Sequence, residues 1–462
     1  MTTATPGETG NDFPPGLVGE IAQFIYDAAP RPVAKIALAG AIGLFAGITG
    51  RAYNVSGTGL NQYIIIIAET GRGKEAASDG IDALMEAVAQ TAPTATQFKG
   101  PTEIASAQAI LKWLADSPCI YCVVGELGLK LKEMSEPHAP AHVAGLKRAL
   151  LNLYSKSKKT SKLGAMAYSK REENTPVISA PAFTLLGETT PQVFFENISE
   201  GLISNGVLPR FLVIEYTGKR VPLCKAHNQA IPSPDLVVRL AGLVAHCAGL
   251  NAATGQVHDV RADTDADAIF DRFNEYADAQ INDDNECVAG RELWNRAHLK
   301  ALKLAALVAV GVNPHFPTID AKQAQWACNQ IHAQTIALRA KFTNGEVGAV
   351  EDNENLRRKE IIKAMFQYAT TPFEKLRKYG ISEKLHSARV IPQSYLQRRL
   401  GDTAAFRKAR YGATKAITTT LQNMRENDEL REIPRTQMVQ QFGTYARAFM
   451  ISKPEVFLPD EN

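Results

Sequence analysis

The segment Ala68-Glu-Thr70-Gly71-Arg72-Gly73-Lys74-Glu75 concentrates groups that suit phosphate chemistry. Gly71 and Gly73 free the backbone to turn amides toward anionic oxygens. Lys74 supplies an ammonium for the outer phosphates, and a helix opening near it adds the positive end of its dipole. Such a loop binds phosphate only between a strand and a helix. Tyr63-Ile-Ile-Ile-Ile-Ala68 is the continuous apolar, β-branched run of a strand covered on both faces, and Glu75 to Gln90 reads as a helix. Two positions depart from G-x-x-x-x-G-K-[ST]: Ala68 replaces the first Gly, and Glu75 stands where a hydroxyl normally meets Mg²⁺. Thr70, Gly71, Arg72, Gly73, Lys74 and Glu75 are therefore the expected ATP contacts, with Glu75 also an atypical Mg²⁺ ligand. The competing reading is an ordinary strand-to-helix turn.

Three further strand ends carry polar chemistry. Ile120 to Val124 is an apolar run ending in Gly125-Glu126, with Gly125 where a metal-associated Asp is expected. Glu126 is placed to polarise an attacking water, or alternatively to cap the next segment; Glu103 is the reserve base. Phe183 to Gly187 leads into Glu188-Thr189-Thr190-Pro191, where Thr189 is the choice for a γ-phosphate sensor unless it caps the helix that Pro191 opens. Arg210, at the start of the strand Phe211 to Tyr216, is placed to reach a neighbouring subunit's nucleotide as an arginine finger. Lys219 and Arg220, past the end of that strand, are a second candidate pair.

These elements need an α/β scaffold. The strand-like runs Ala95 to Phe98, Ile120 to Val124, Phe183 to Gly187 and Phe211 to Tyr216 alternate with helical stretches, which predicts a parallel sheet. With 462 residues, 45% hydrophobic and 21% charged, the chain is long enough for several globular domains, and coiled-coil, collagen-like and wholly disordered classes are excluded. The expected division is a helical segment over 1–55, an ATPase core over 56–232, a helical region packing on the core over 233–345, an acidic linker over 346–355 and a basic module over 356–462.

Val33 to Thr49 is the longest apolar stretch but falls short of the ~20 residues of a membrane helix. It reads as a buried helix. Residues 1–13 lack the basic start and apolar run of a signal peptide, so no membrane partner and a cytoplasmic location are expected. The six cysteines are too sparse for a disulfide scaffold. Cys119 and Cys122 read as core, and Pro137 and Pro140 break the helix that would align His138 with His142.

Positive charge is unevenly distributed. Lys156, Lys158, Lys159 and Lys162 crowd one loop between the Glu126 and Thr189 strands, placed to track DNA phosphates in the channel of a ring. From Lys384 to Arg425 the basic residues include Arg398, Arg399, Arg407, Lys408 and Arg410, against one acidic residue, Asp402. A short helix from Ile391-Pro-Gln-Ser394 to Leu400-Gly401, a longer helix Tyr411 to Glu426, and two strands, Leu430 to Ile433 and Ala446 to Ile451, joined by a loop follow the order of a winged helix.

The stretch Gly16 to Tyr216 resembles the phage and prophage P-loop ATPases of the DUF3987 type, the primase- or replicative-helicase-like proteins. The resemblance rests on Arg31-Pro32, Gly50-Arg51, Thr58-Gly-Leu-Asn-Gln-Tyr63, Thr70-Gly-Arg-Gly-Lys-Glu75, Gly187-Glu-Thr-Thr-Pro191 and the region Gly201-Leu-Ile to Arg210-Phe-Leu. Leu208-Pro-Arg210-Phe211 is similar to the Ser-Arg-Phe segment of hexameric AAA+ helicases, where the Arg acts in trans. The resemblance implies a RecA/AAA+-like core, ATP and Mg²⁺, a hexameric ring acting on single-stranded DNA, contacts with other replication proteins, and a bacterial host cytoplasm. The alternative is a non-motor DNA-binding initiator, loader or regulator that uses nucleotide as a switch.

Overall fold

The computed structural model describes residues 13–452 apart from 137–138, 166–173, 198–201, 204, 253–256, 285, 344–346, 348–353 and 408–411. It divides into two compact units, residues 1–340 and 341–462.

The first unit opens with helices α1 (Leu17–Ala28) and α2 (Ala34–Thr49), separated at Pro30-Arg31-Pro32. Almost every residue of α2 from Ile36 onward is buried, including Gly40, Gly43 and Gly47. A helix apolar on all sides belongs in a core. Strands β1 (Tyr53–Val55) and β2 (Thr58–Gly59) form a hairpin ahead of β3 (Tyr63–Ala68), and α3 (Ala76–Thr91) follows β3. Next come α4 (Ala107–Asp116), β4 (Cys119–Val124), α5 (Leu127–Ser135), α6 (Ala141–Ser155), the short antiparallel pair β5 (Lys162–Leu163) and β6 (Ile178–Ser179), β7 (Ala182–Thr189), α7 (Pro191–Asn197) and β8 (Phe211–Tyr216).

The central sheet has the order β4-β7-β3-β8, and every neighbouring pair is parallel. All six residues of β3 are buried, so both faces of the sheet are covered. Ile64, Ile66, Leu186 and Leu212 share a core with α1, α2 and α3. On the other face Tyr63 meets Tyr154 of α6 at 5.2 Å and Phe211 at 5.4 Å between ring centroids. Cys119 and Cys122 are buried, and their spacing puts them on opposite faces of β4. Burial pushes both thiols up to about 12.

One expected strand is absent. Ala95 to Phe98 lies in a 3₁₀ turn, Pro93–Phe98, opened by Pro93, and only Lys99 bridges to Tyr121 at the sheet edge. The stretch after Ser233 is not wholly helical either. It contains α8 (Pro234–Ala252), β9 (His258–Ala262), α9 (Thr264–Ile281), α10 (Val288–Trp294), α11 (Ala297–Val312), β10 (Thr318–Ile319) and α12 (Ala321–Thr343). Strands β9 and β10 build a second sheet with the hairpin, in the order β10-β9-β1-β2. One apolar cluster of this unit runs from Leu17 to Ile331 and takes in Tyr53 and Val55 of β1, Val260 of β9 and Ile319 of β10. By length and composition α8 is the one described helix able to cross a membrane; Leu236, Leu240, Leu243, Val244 and Cys247 on it are buried in that cluster.

The second unit has its own core. Helix α13 (Glu354–Thr370) precedes α14 (Glu383–Ser387), β11 (Ile391–Pro392), α15 (Gln393–Leu400), α16 (Ala413–Glu426), β12 (Leu430–Glu432), α17 (Arg435–Phe442) and β13 (Ala448–Ile451). Strand β13 pairs antiparallel with both β11 and β12. The connection expected as a loop between the last two strands holds α17, entered at Pro434 and left at Gly443 with φ +66°. The expected linker over 346–355 lies almost wholly outside the described residues.

Candidate functional site at the carboxyl ends of the central strands

Parallel strands gather the residues that follow their carboxyl ends into one crevice. Here the segments leaving β3, β4 and β8 bring Gly71 to Glu75, Glu126 and Arg220 to one end of the sheet, where Glu188 is the penultimate residue of β7. Gly71 and Gly73 take φ +74° and +82°, a region that costs an L-residue energy. At Gly73 a Cβ would also stand 2.5 Å from the carbonyl oxygen of Arg31, so the close approach to the Pro30-Arg31-Pro32 break requires glycine. Arg72 N–H donates to Glu69 and Ala76 N–H to Gly73. The amides of Gly71, Gly73 and Lys74 have no backbone acceptor among the described residues, and they lie at the start of α3. That is a donor-rich nest at a helix N-terminus.

Lys74 is buried, 5% exposed, and its ammonium lies 3.7 Å from the carboxylate of Glu126. Glu126 is a non-glycine residue at φ +51°, ψ +36°, directly before α5. Such a conformation costs about 1 kcal/mol and persists where surrounding contacts enforce it.

Glu188 is a site residue that sequence reasoning did not select. In register with Ile66, it shares the face of the sheet that packs on α2 and α3. Burial raises its pKa above the usual carboxylate value; Lys74 opposes this, while Glu75, Glu126 and Asp79 add to it. Asp79 is likewise raised by burial, with Glu75 and Asp82 contributing. Lys74 thus lies beside Glu126 and acts on Glu188. Strand parity sends Thr189 to the opposite face, where its hydroxyl is fully buried against Gly128 of α5 and has no hydrogen-bond partner among the described residues.

Glu188→Gln is expected to stabilise the protein at neutral pH. A carboxyl whose folded pKa is raised costs stability above that pKa, and the cost disappears as pH falls toward the unfolded value near ~4.3. The variant's thermal midpoint should exceed the wild-type value at pH 7, with the gap closing toward pH 4. A lower midpoint at pH 7 would mean that attraction to Lys74 outweighs the burial.

Arg220 belongs to this end of the sheet. Its Nε donates to the Gly71 carbonyl at 3.1 Å, within the same chain. The neighbouring Val221 carbonyl accepts from the Arg31 guanidinium, and Cys224 N–H donates to Pro30 at 2.9 Å. Arg31 and Arg220 therefore bracket the glycine loop. No local signal in the sequence assigns Arg31 or Arg220 this place, because the closure of the segment after β8 onto residues 30–31 is a tertiary contact.

Arg210 lies at the other end. It precedes β8, a six-residue strand and hence about 20 Å from the glycine-loop edge. It is half-buried, donates to Gly206, and stands over the Tyr154 ring at 5.9 Å to the centroid. Its Nε is buried with no acceptor among the described residues, and burial, then the nearby Arg296, lowers its pKa. Glu103 is exposed in the loop before α4, whose start is capped by Ser106 rather than near Thr102.

The basic loop is also at this far end. Lys158, Lys159 and Lys162 are exposed and Lys156 is partly so, while Ser157 between them is fully buried. In the second unit Arg398 donates to the Tyr379 carbonyl at 3.0 Å and Arg399 to Gln367 Oε1 at 3.2 Å; both remain exposed, as does Arg407. Lys408 and Arg410 lie outside the described residues, as does His138. Arg425 and Arg447 both pair with Glu432, and the hydrogen bond from Arg447 leads in holding that carboxyl below its usual range. Compared with known proteins, the chain matches no family model and no curated sequence.

Proposed function

We propose that the chain is an ATP-driven DNA translocase, a P-loop ATPase that works as a hexameric ring in replication and draws single-stranded DNA through its channel. The observation that carries this reading is the convergence of the Gly71–Gly73 turn, buried Lys74, Glu126, Glu188 and Arg220 at the carboxyl ends of four parallel strands.

The residues present fit a magnesium nucleotide. Backbone donors and the α3 N-terminus receive phosphate oxygens, Lys74 exchanges Glu126 for them, and Thr70 and Arg72 flank the turn. Among the described residues no group of three His, Cys, Asp or Glu gathers to hold a metal alone. This suits Mg²⁺, which is commonly bound through one or two carboxylates with phosphate and water completing its shell. Glu75, Glu126 and Glu188 are the available carboxylates, replacing the Asp absent at Gly125. When bound, the nucleotide supplies the transferable phosphoryl group and the metal neutralises its charge.

Glu126 orients and deprotonates the attacking water. Glu126→Gln is expected to retain nucleotide binding and slow hydrolysis by ~10²-fold or more. If turnover survives in the folded variant, the base lies elsewhere.

Lys156, Lys158, Lys159 and Lys162 track the DNA backbone. The second unit acts as a winged helix: α16 exposes Thr414, Lys415, Thr419 and Gln422 for DNA, with Arg398, Arg399, Arg407, Lys408 and Arg410 on phosphates. Other replication proteins are the expected further partners, in a bacterial host cytoplasm. The switch reading, a non-motor initiator or loader, draws on Gly125 and on the Lys74–Glu126 pair, which occupies the phosphate-binding ammonium. ATP turnover measured with and without single-stranded DNA, alongside native mass, separates the two. A DNA-stimulated ring supports the motor; slow turnover indifferent to DNA supports the switch.

A further inference from the structure

At the amino-terminal end of the central sheet, four elements meet on one side chain. Asn61, two residues before β3, is fully buried. Its Nδ2 donates to the Phe183 carbonyl of β7 at 3.1 Å, and its Oδ1 accepts from Ser157 Oγ at 2.7 Å. Lys303 of α11, also fully buried, donates to Asn61 Oδ1 at 3.1 Å and to its carbonyl at 3.2 Å, and stands over the Tyr154 ring at 4.3 Å. Ser157 in turn accepts from Gly59 N–H at 3.2 Å.

The chemistry of this knot is unusual for a mere strand cap. Burial pushes Lys303 down to about 7, and no carboxylate accepts its hydrogen bonds among those described. Lys300, three residues earlier, is equally buried and holds the Phe211 carbonyl at the start of β8. Two buried ammonium positions on one helix therefore grip the starts of β3 and β8. The first of these strands ends in the glycine loop, and the second leads to Arg220 on Gly71.

Ser157 has a particular place in this arrangement. It is the buried residue inside the run Lys156 to Lys162, between partly exposed Lys156 and exposed Lys158, and Lys159 N–H gives the loop a second tether on Asn54 Oδ1 at 3.3 Å. A phosphate chain drawn along those lysines would pull on Ser157, and through its hydrogen bond to Asn61 on the base of β3.

We infer that Ser157, Asn61 and Lys303 form a positioning relay that couples occupancy of the basic loop by single-stranded DNA to the glycine loop at the other end of β3. The inference rests on the proposed function and names its regulation. Ser157 and Lys303 touch neither nucleotide nor DNA in this scheme; they act through Asn61 and the strand. Coupling carried by packed hydrogen-bond networks is measured by perturbing them, and single changes typically move it by about 2- to 30-fold.

The test compares ATP turnover of the full chain with and without an oligothymidylate strand, together with the affinity for that strand. In Ser157→Ala the unstimulated rate and the affinity should stay near wild type, while the stimulation ratio falls by about 3-fold or more. Lys303→Met, which releases Asn61 from the opposite side with the basic loop untouched, should lower the same ratio. A structural role alone would lower stimulated and unstimulated rates together. Wild-type stimulation in both folded variants overturns the relay and leaves the proposed function standing, as does a loss of stimulation explained wholly by weaker DNA binding. A wild-type enzyme indifferent to DNA overturns both.

Discussion

Lys74→Ala is expected to abolish nucleotide binding and reduce ATP turnover to background, a loss of ~10³-fold, in a protein that remains folded. Lys74 contributes charge rather than apolar packing, and its described ion-pair partner, Glu126, is about half exposed and can be rehydrated. Its removal also leaves Glu126 and Glu188 without the ammonium that acts on both, so a triphosphate would meet uncompensated carboxylates. Binding of a fluorescent nucleotide and the thermal midpoint are read on the same preparation. Unchanged hydrolysis in the folded variant rules out this loop as the nucleotide site.

The second large effect concerns Arg210, whose position separates two roles. Standing about a strand's length from its own glycine loop, it serves only a neighbouring copy's phosphate if it serves one at all. As a finger acting in trans, Arg210→Ala should bind nucleotide nearly normally and lose ~10³-fold or more in turnover. Mixed assemblies would then lose more activity than the mutant fraction, because each variant subunit spoils a neighbour's site. The contacts to Gly206 and Tyr154 support the other role, an anchor for the start of β8. An anchor's loss lowers the thermal midpoint and leaves neighbours unaffected. Strictly proportional activity in mixed assemblies, or full activity from an isolated monomer, contradicts the ring.

The scaffold was readable where the signal is local. Tyr63–Ala68 is apolar at every position because both faces of β3 are covered, and its bounds follow directly. Gly71 and Gly73 were readable because glycine takes their positive φ at little cost, and at Gly73 the close approach of Arg31 leaves no room for a Cβ. In contrast, β9 has one buried residue, Val260, among His258, Asp259, Arg261 and Ala262, too few for an alternating pattern to show. Phe98 is buried like a strand residue, yet Pro93 starts a 3₁₀ turn there. The site was readable in part for a similar reason. Glu188 and Thr189 are adjacent and equally polar in sequence; which one faces Lys74 depends on the face that α3 covers, a tertiary fact. Lys300 and Lys303 sit in an Ala- and Leu-rich helix whose periodicity gives no sign that both ammonium groups are buried on strand-end carbonyls.

If ATP drives this protein along DNA, it must displace streptavidin from the biotinylated end of a single strand. Displacement is expected to require hydrolysable ATP and to be absent with Lys74→Ala. DNA-bound wild-type protein that hydrolyses ATP yet releases streptavidin no faster than without nucleotide would contradict it and favour the switch.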